Sequence, residues 1–317
     1  MTRSNKFSKA QLIIPTFNRP QLLLKSVESA LNQRLPFDRI VISDNSYPRE
    51  RRRDTKEIMA THLANHSDRL TLQFPPEPLS AQGHAKFIQE TNCISFDYTM
   101  LLHDDDRLEP HFLEKMKLYL DANPELVAVA ANAWAVNFDE RRVGTVMRRR
   151  HGTKTLHSPL ELLRPYLDIW PTGPAPLDSY LYRSDALRKI SFDSSHGGKY
   201  SDVAALAELV TYGPILWHYE PLMSYLQHPN QDSRAVSTRD FRNLTYHLQT
   251  NYPSLELEQI VANFRFKHFR LKAKTLSSQT KVRTRRKLQL ALCFHAMRHL
   301  INRMNTYMLL LRRLCRM

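Results

Sequence analysis

The first half of the chain alternates short apolar runs with amphipathic stretches. Leu12-Ile13-Ile14, closed by Pro15, predicts a buried strand. From Pro20 to Gln33 the residues Leu23, Leu24, Val27, Ala30 and Leu31 recur at helical spacing, with Asn18 expected as the cap and Pro20 in the first turn. Ile40-Val41-Ile42 predicts a second buried strand, ending in the polar cluster Ser43-Asp44-Asn45-Ser46. The same reading predicts helices over 52–64 and 84–92, a strand over 70–74, and a strand over 98–102 that runs into His103-Asp104-Asp105-Asp106. A helix follows from Pro110 to Asp121, then a strand over 126–131. This alternation predicts an α/β fold with a mixed, mostly parallel sheet flanked by helices. Ligands of such sheets bind outside the carboxyl ends of the strands. Three polar clusters fall there: Thr16–Arg19, Ser43–Ser46 and His103–Asp106.

The second half is less regular. A Pro-rich stretch, Trp170 to Pro176, precedes a strand near Ser179–Tyr182 and a helix over 201–212. Beyond His228 the pattern turns helical, over 238–250, 254–274 and 281–313, so the expected organisation is an α/β body over 1–235 and a helical C-terminal region over 236–317.

Charge sharpens that division. The formal net charge is +15, yet Glu258 is the last acidic residue and 15 Lys and Arg follow it. The body is therefore neutral and the whole excess lies in the final 59 residues, which implies an anionic partner for the tail. Leu288, Leu292, Met297, Leu300, Ile301, Met304, Met308 and Leu311 alternate with basic residues in the pattern of an amphipathic helix lying on an anionic membrane surface. The competing reading is an apolar stripe packed on the body or on a second subunit. The composition excludes a disordered or multi-span membrane chain, and no apolar stretch of spanning length or leader-like segment occurs. The expected location is the cytoplasm, at the inner face of the cell membrane. Cys93, Cys293 and Cys315 have no metal-binding spacing and are expected to be reduced thiols.

Three consecutive carboxylates at a strand end repel one another unless a cation or ligand compensates them. A magnesium or manganese ion is the natural partner, since hard divalent ions take oxygen ligands and keep positions open for substrate phosphates. The bland alternative is an acidic turn that starts the helix at Pro110.

The motifs around these clusters carry a resemblance. Pro15-Thr16-Phe17-Asn18-Arg19 with Ser29-Ala30-Leu31-Asn32-Gln33, Val41-Ile42-Ser43-Asp44-Asn45-Ser46, and His103 to Pro110 resemble, in order, three elements of the family 2 glycosyltransferases of GT-A fold. The resemblance covers about residues 10–235. It implies an inverting, metal-dependent enzyme that moves a single sugar from a nucleotide sugar, a UDP-sugar by family habit, to a glycan or lipid-linked glycan acceptor in cell-envelope polysaccharide synthesis. Pro15, Thr16, Asn18 and Arg19 would line the nucleotide pocket, and Asp44 would accept a hydrogen bond from the base. Asp105 and Asp106 would hold the metal, with Asp104 supporting the ribose or metal-bound water. The register is open: Pro110 aligns Asp105 with the main ligand and His103 with the family's first aspartate, while Asp104-Asp105-Asp106 is itself a D-x-D.

Tyr200-Ser201-Asp202 with Leu206 resembles the family's E-D-x-x-L segment, which makes Asp202 the candidate general base. Otherwise Asp202 is a first-turn carboxylate offsetting a helix dipole. Glu220 to His228 resembles the E-P-L-x-x-Y-R-x-H segment, which makes His228 a further metal or phosphate contact. The processive signature Q-x-x-R-W is missing, so one sugar per binding event is expected. The alternatives are a nucleic-acid-binding protein with a basic helical tail, and a catalytically silent relative, suggested by Ser43, His103 and Ser201. The tail lacks the interleaved aromatics that stack on bases, so no nucleic acid is expected as partner.

Overall fold

A computed structural model of the chain describes residues 8–92, 95–168, 173–227 and 236–279, with side chains as far as residue 268. The three cysteines, His228 and the proposed membrane helix over 281–317 lie outside the described residues.

Among the described residues ten strands form one sheet: β1 (Ala10–Thr16), β2 (Arg39–Asp44), β3 (Leu70–Gln73), β4 (Tyr98–Leu101), β5 (Arg107–Leu108), β6 (Ala128–Val136), β7 (Arg142–Thr145), β8 (Thr153–Leu156), β9 (Tyr180–Arg183) and β10 (Ile215–Leu226). The helices are α1 (Pro20–Leu31), α2 (Arg51–Asn65), α3 (Ala81–Asn92), α4 (Phe112–Ala122), α5 (Pro159–Leu167), α6 (Ser184–Leu187), α7 (Ser201–Leu209), α8 (Thr238–Asn251) and α9 (Leu255–Gln279). Two compact units divide the chain: Met1–Pro159 with Thr172–Leu244, and Leu160–Pro171 with Thr245–Met317.

In the first unit the strand order is β3-β2-β1-β4-β9-β6-β10-β5, with β7 beside β6 and β8 beside β10. β3, β2, β1 and β4 are parallel, and β10 is parallel to β6. β9 is antiparallel to both β4 and β6 and joins the two parallel blocks. The apolar run of β1 has two covered faces, as a central strand requires. Leu12 and Ile14 join a cluster with Leu23 and Val27 of α1, whereas Ile13 packs with Val41 and with Ile88 of α3. α1 buries Leu23, Val27 and Ala30 at helical spacing. Its N-cap is Arg19 rather than Asn18, because Asn18 turns into the left-handed region at φ 55° and makes the sharp exit from β1.

β10 escapes the sequence pattern because Pro221 stands inside it. The pairing with β6 shifts register on either side of that proline, so the strand accommodates it at an irregularity.

The described residues of the second unit are mainly helical. Buried Leu162, Leu163 and Leu167 of α5 and Leu257, Ile260, Val261 and Phe264 of α9 supply its apolar side chains. Asn263 donates to Asp168 (2.7 Å), and Arg164 pairs with Glu256. No helix among the described residues is long and apolar enough to cross a membrane.

Candidate active site

Thr16, at the end of β1, donates through Oγ1 to Asp104 Oδ2 (2.6 Å). Three residues on, Arg19 points Nη1 at Asp105 Oδ2 (3.3 Å) and Asp104 Oδ1 (3.5 Å). Asn18 clasps the loop after β2. Its backbone N–H donates to Ser46 Oγ (2.8 Å), its Nδ2 donates to the Tyr47 carbonyl (2.9 Å), and its Oδ1 accepts from the Tyr47 N–H (3.2 Å). Half-buried Pro15 lies opposite Ser43 in the β1–β2 ladder.

At the end of β2, Asp44 is fully buried. Its Oδ1 accepts from the Ser46 N–H (2.8 Å), while Oδ2 has no hydrogen-bond partner among the described residues. Behind it, Ser43 Oγ meets His84 Nε2 (2.8 Å) and accepts from Gln73 (3.2 Å). Burial, with the Arg52 guanidinium adding to it, pushes the His84 imidazolium down to about 4, against the opposing pull of Asp44. The ring is therefore neutral near neutral pH.

The third cluster gathers at the end of β4. Asp106 takes the Leu226 N–H of β10 on Oδ1 (2.7 Å), and its carbonyl accepts from Ser26 of α1 (2.5 Å), so two elements hold it in place. Asp178 lies in the short turn before β9. Since β9 runs antiparallel to β4, with Leu181 opposite Met100, the residue preceding β9 arrives at the carboxyl end of β4. Asp178 is 2% exposed, and among the described residues no donor reaches either of its oxygens or Asp106 Oδ2. The two carboxyls face each other instead. Burial first, and then the Asp178 charge, drive the Asp106 carboxyl well above the usual carboxylate range.

His103 completes the group, with Nδ1 3.7 Å from Asp178 Oδ2. His103, Asp106 and Asp178 can each aim one ligand atom so that all lie within 4.8 Å of one another. Burial alone would lower the His103 imidazole, but the carboxylates of Asp178, Asp105, Asp104 and Asp202 overcome it and raise it. Burial also raises Asp104, against the Thr16 hydrogen bond and the Arg19 charge.

This surplus of negative charge with unsatisfied oxygens fits a divalent cation. Two carboxylates and an imidazole are acceptable donors for manganese, and the carboxylates alone suit magnesium. Asp105, the ligand expected from the motif, is turned toward Arg19 and stands outside that trio.

Asp202 lies in the first turn of α7 and accepts from the Val203 N–H (2.7 Å). Burial pushes its carboxyl up to about 6, opposed by that hydrogen bond and by the His103 charge. Asp202 and His103 each feel the other's charge. Asp178 was missed in the motif reading. Its one sequence signal is an isolated carboxylate between a Pro-rich stretch and a buried strand.

Residues 11–190 match the profile of Glycosyl transferase family 2, and the chain belongs to that family. It is a glycosyltransferase with an α/β fold of the GT-A kind. Among solved structures it is similar to S. aureus TarS 1-349 in complex with UDP-GlcNAc. The identity is 14% and the TM-score 0.61, over 90% of this chain and 80% of that one. The UDP complex of TarS 1-349 gives 15% identity and a TM-score of 0.61, over 87% and 77%. No curated protein sequence matches the chain.

Proposed function

We propose that the chain is an inverting glycosyltransferase that moves one sugar from a uridine diphosphate sugar to a hydroxyl of a glycan or lipid-linked glycan acceptor, with a divalent metal as cofactor. The observation that carries this reading is the group of buried Asp44, Asp106 and Asp178 carboxylate oxygens that find no donor among the described residues. Such oxygens are costly to fold unless a ligand satisfies them. The UDP and UDP-GlcNAc complexes of a protein of this fold support a uridine donor.

His103, Asp106 and Asp178 would hold the metal, whose chemistry is to offset the charge of the departing diphosphate. Asp44 Oδ2 is free to accept the imide N–H of a uracil, and Asn18 holds the loop that frames it. Asp202 acts as general base on the acceptor hydroxyl. The acceptor oxygen forms a bond to the anomeric carbon from the face opposite the diphosphate, and its proton passes to Asp202. The bond from that carbon to the phosphate oxygen breaks, and the nucleoside diphosphate leaves with the electron pair. Inversion follows from this single displacement. A carboxyl that titrates at about 6 is mostly ionised near neutral pH and still basic enough for the task.

The test is nucleotide-sugar turnover with and without manganese, together with heat stability in the presence of UDP and manganese. Turnover lost on chelation, and a UDP-dependent rise in Tm lost in Asp178→Asn, are the expected results. Turnover unchanged by both chelation and Asp178→Asn would overturn the assignment.

A further inference from the structure

The segment after β7 carries the run Arg148-Arg149-Arg150. All three are exposed, and none forms an ion pair among the described residues. Surface arginines normally sample many rotamers on a mobile backbone, but this backbone is fixed from beneath. Asn132 of β6, fully buried, donates to the carbonyls of Met147 (3.1 Å), Arg149 (2.9 Å) and Tyr219 (3.1 Å), and its Oδ1 accepts from the N–H groups of Met147 and Ala133 (both 2.8 Å). An interior amide thus fixes the backbone at Met147 and Arg149, at the base of the run. Two of them also lie on aromatic faces. Arg150 sits 5.8 Å from the centre of the Trp134 ring, which Arg142 approaches to 4.5 Å, and Arg149 sits 5.6 Å from that of Tyr219. A guanidinium on a ring face keeps its N–H edge open for a planar, two-pronged anion contact.

Two connections tie the elements around the run to those that carry the site. Gly173, at φ 83°, abuts the preceding segment so closely that a Cβ there would fall 2.3 Å from the Val146 carbonyl oxygen, and five residues later the same strand of chain supplies Asp178. On the other side, Trp134 pairs with Ser224 of β10, two residues before the Leu226 N–H that holds Asp106. We propose that Arg148, Arg149 and Arg150, with Trp134 and Tyr219 behind them, form an acceptor subsite for phosphate groups carried by an anionic polymer. This rests on the sugar-transfer reading and names the acceptor class it serves. A soluble polyanion is favoured over a lipid surface because the run has no exposed apolar residue within it: Met147 is buried, and His151 and Gly152 follow.

The test uses the full chain and linear polyphosphate as probe, in a fluorescence-anisotropy competition over a salt series. The variant Arg148→Gln/Arg149→Gln/Arg150→Gln is compared with Arg51→Gln/Arg53→Gln/Lys86→Gln, which removes the same charge from exposed positions of α2 and α3. Polyphosphate affinity should fall on the order of tenfold or more in the first variant, with a shallower salt dependence, and change little in the second. UDP binding measured by calorimetry should be the same in both. Equal losses in the two variants would mean non-specific charge and overturn the proposal. So would a loss confined to phosphatidylglycerol vesicles with polyphosphate binding intact, which would make the run a membrane contact. Failure of the wild-type chain to bind UDP would instead strike the sugar-transfer reading, so the two failures are separable.

Discussion

His84 ties the stability of the nucleotide side of the site to pH, and the size of the effect can be worked out. The ring is 6% exposed, and its imidazolium is pushed from 6.5 down to about 4, chiefly by burial. In the unfolded chain the same residue titrates at its ordinary value. Between these two values the unfolded state binds a proton that the folded state refuses, so stability rises with pH. The contribution is complete above about pH 6.5 and is lost as pH falls toward 4. Linkage puts the loss at about 1 kcal/mol near pH 5.5 and roughly 2–3 kcal/mol near pH 4.5. Other groups act in the same range: Asp202, with its carboxyl raised to about 6, pulls the opposite way. A difference between wild type and His84→Gln isolates the histidine, because glutamine does not titrate and keeps an amide to meet Ser43. Urea unfolding at about pH 7.5, 5.5 and 4.5 should show the variant gaining on wild type by those amounts as pH falls. A wild-type-minus-variant difference constant across that range would refute the argument, because it would mean that the ring accepts its proton in place.

Three further outcomes are expected. Asp202→Asn should lower kcat by about 10²–10⁴-fold with UDP affinity retained, and in wild type kcat should fall as pH drops through about 6, where the base is protonated; steady-state kinetics across pH read both. Thr16→Val keeps the shape of the side chain but leaves buried Asp104 Oδ2 without its 2.6 Å donor, a loss of about 1–3 kcal/mol in chemical denaturation. Asn132→Ala strips the hydrogen bonds under Met147 and Arg149, so stability should fall by roughly 3 kcal/mol or more, and hydrogen exchange should rise at the Met147 amide that now bonds to Asn132 Oδ1.

Most of the first half of the fold was legible because its signals are local. A central strand covered on both faces must be apolar at every position, and an amphipathic helix must repeat its stripe, so Leu12-Ile13-Ile14 and the Leu23–Leu31 spacing could hardly mean anything else. β10 was not legible, because a proline inside a strand reads as its end and only the register shift against β6 reveals how the ladder absorbs it. β5, two residues long, and β7 and β8, four each, are too short to display a period.

The site divides along the same line. Thr16, Arg19, Asp44 and the aspartates at 104–106 stand at strand ends within contiguous motifs, and the folded chain brings Thr16 and Arg19 onto Asp104 and Asp105. Which carboxylates converge is a different kind of fact. It depends on the direction of β9: as an antiparallel strand inserted between β4 and β6, it delivers the short turn before its first position, which holds Asp178, to the rim where β4 ends. Were β9 parallel, Asp178 would lie at the opposite edge of the sheet, and His103 and Asp106 would lack a third donor. The D-x-D pattern carries no information about that strand's direction, which is why the motif favoured Asp105 and why Asp178, in no motif, stands with His103 and Asp106.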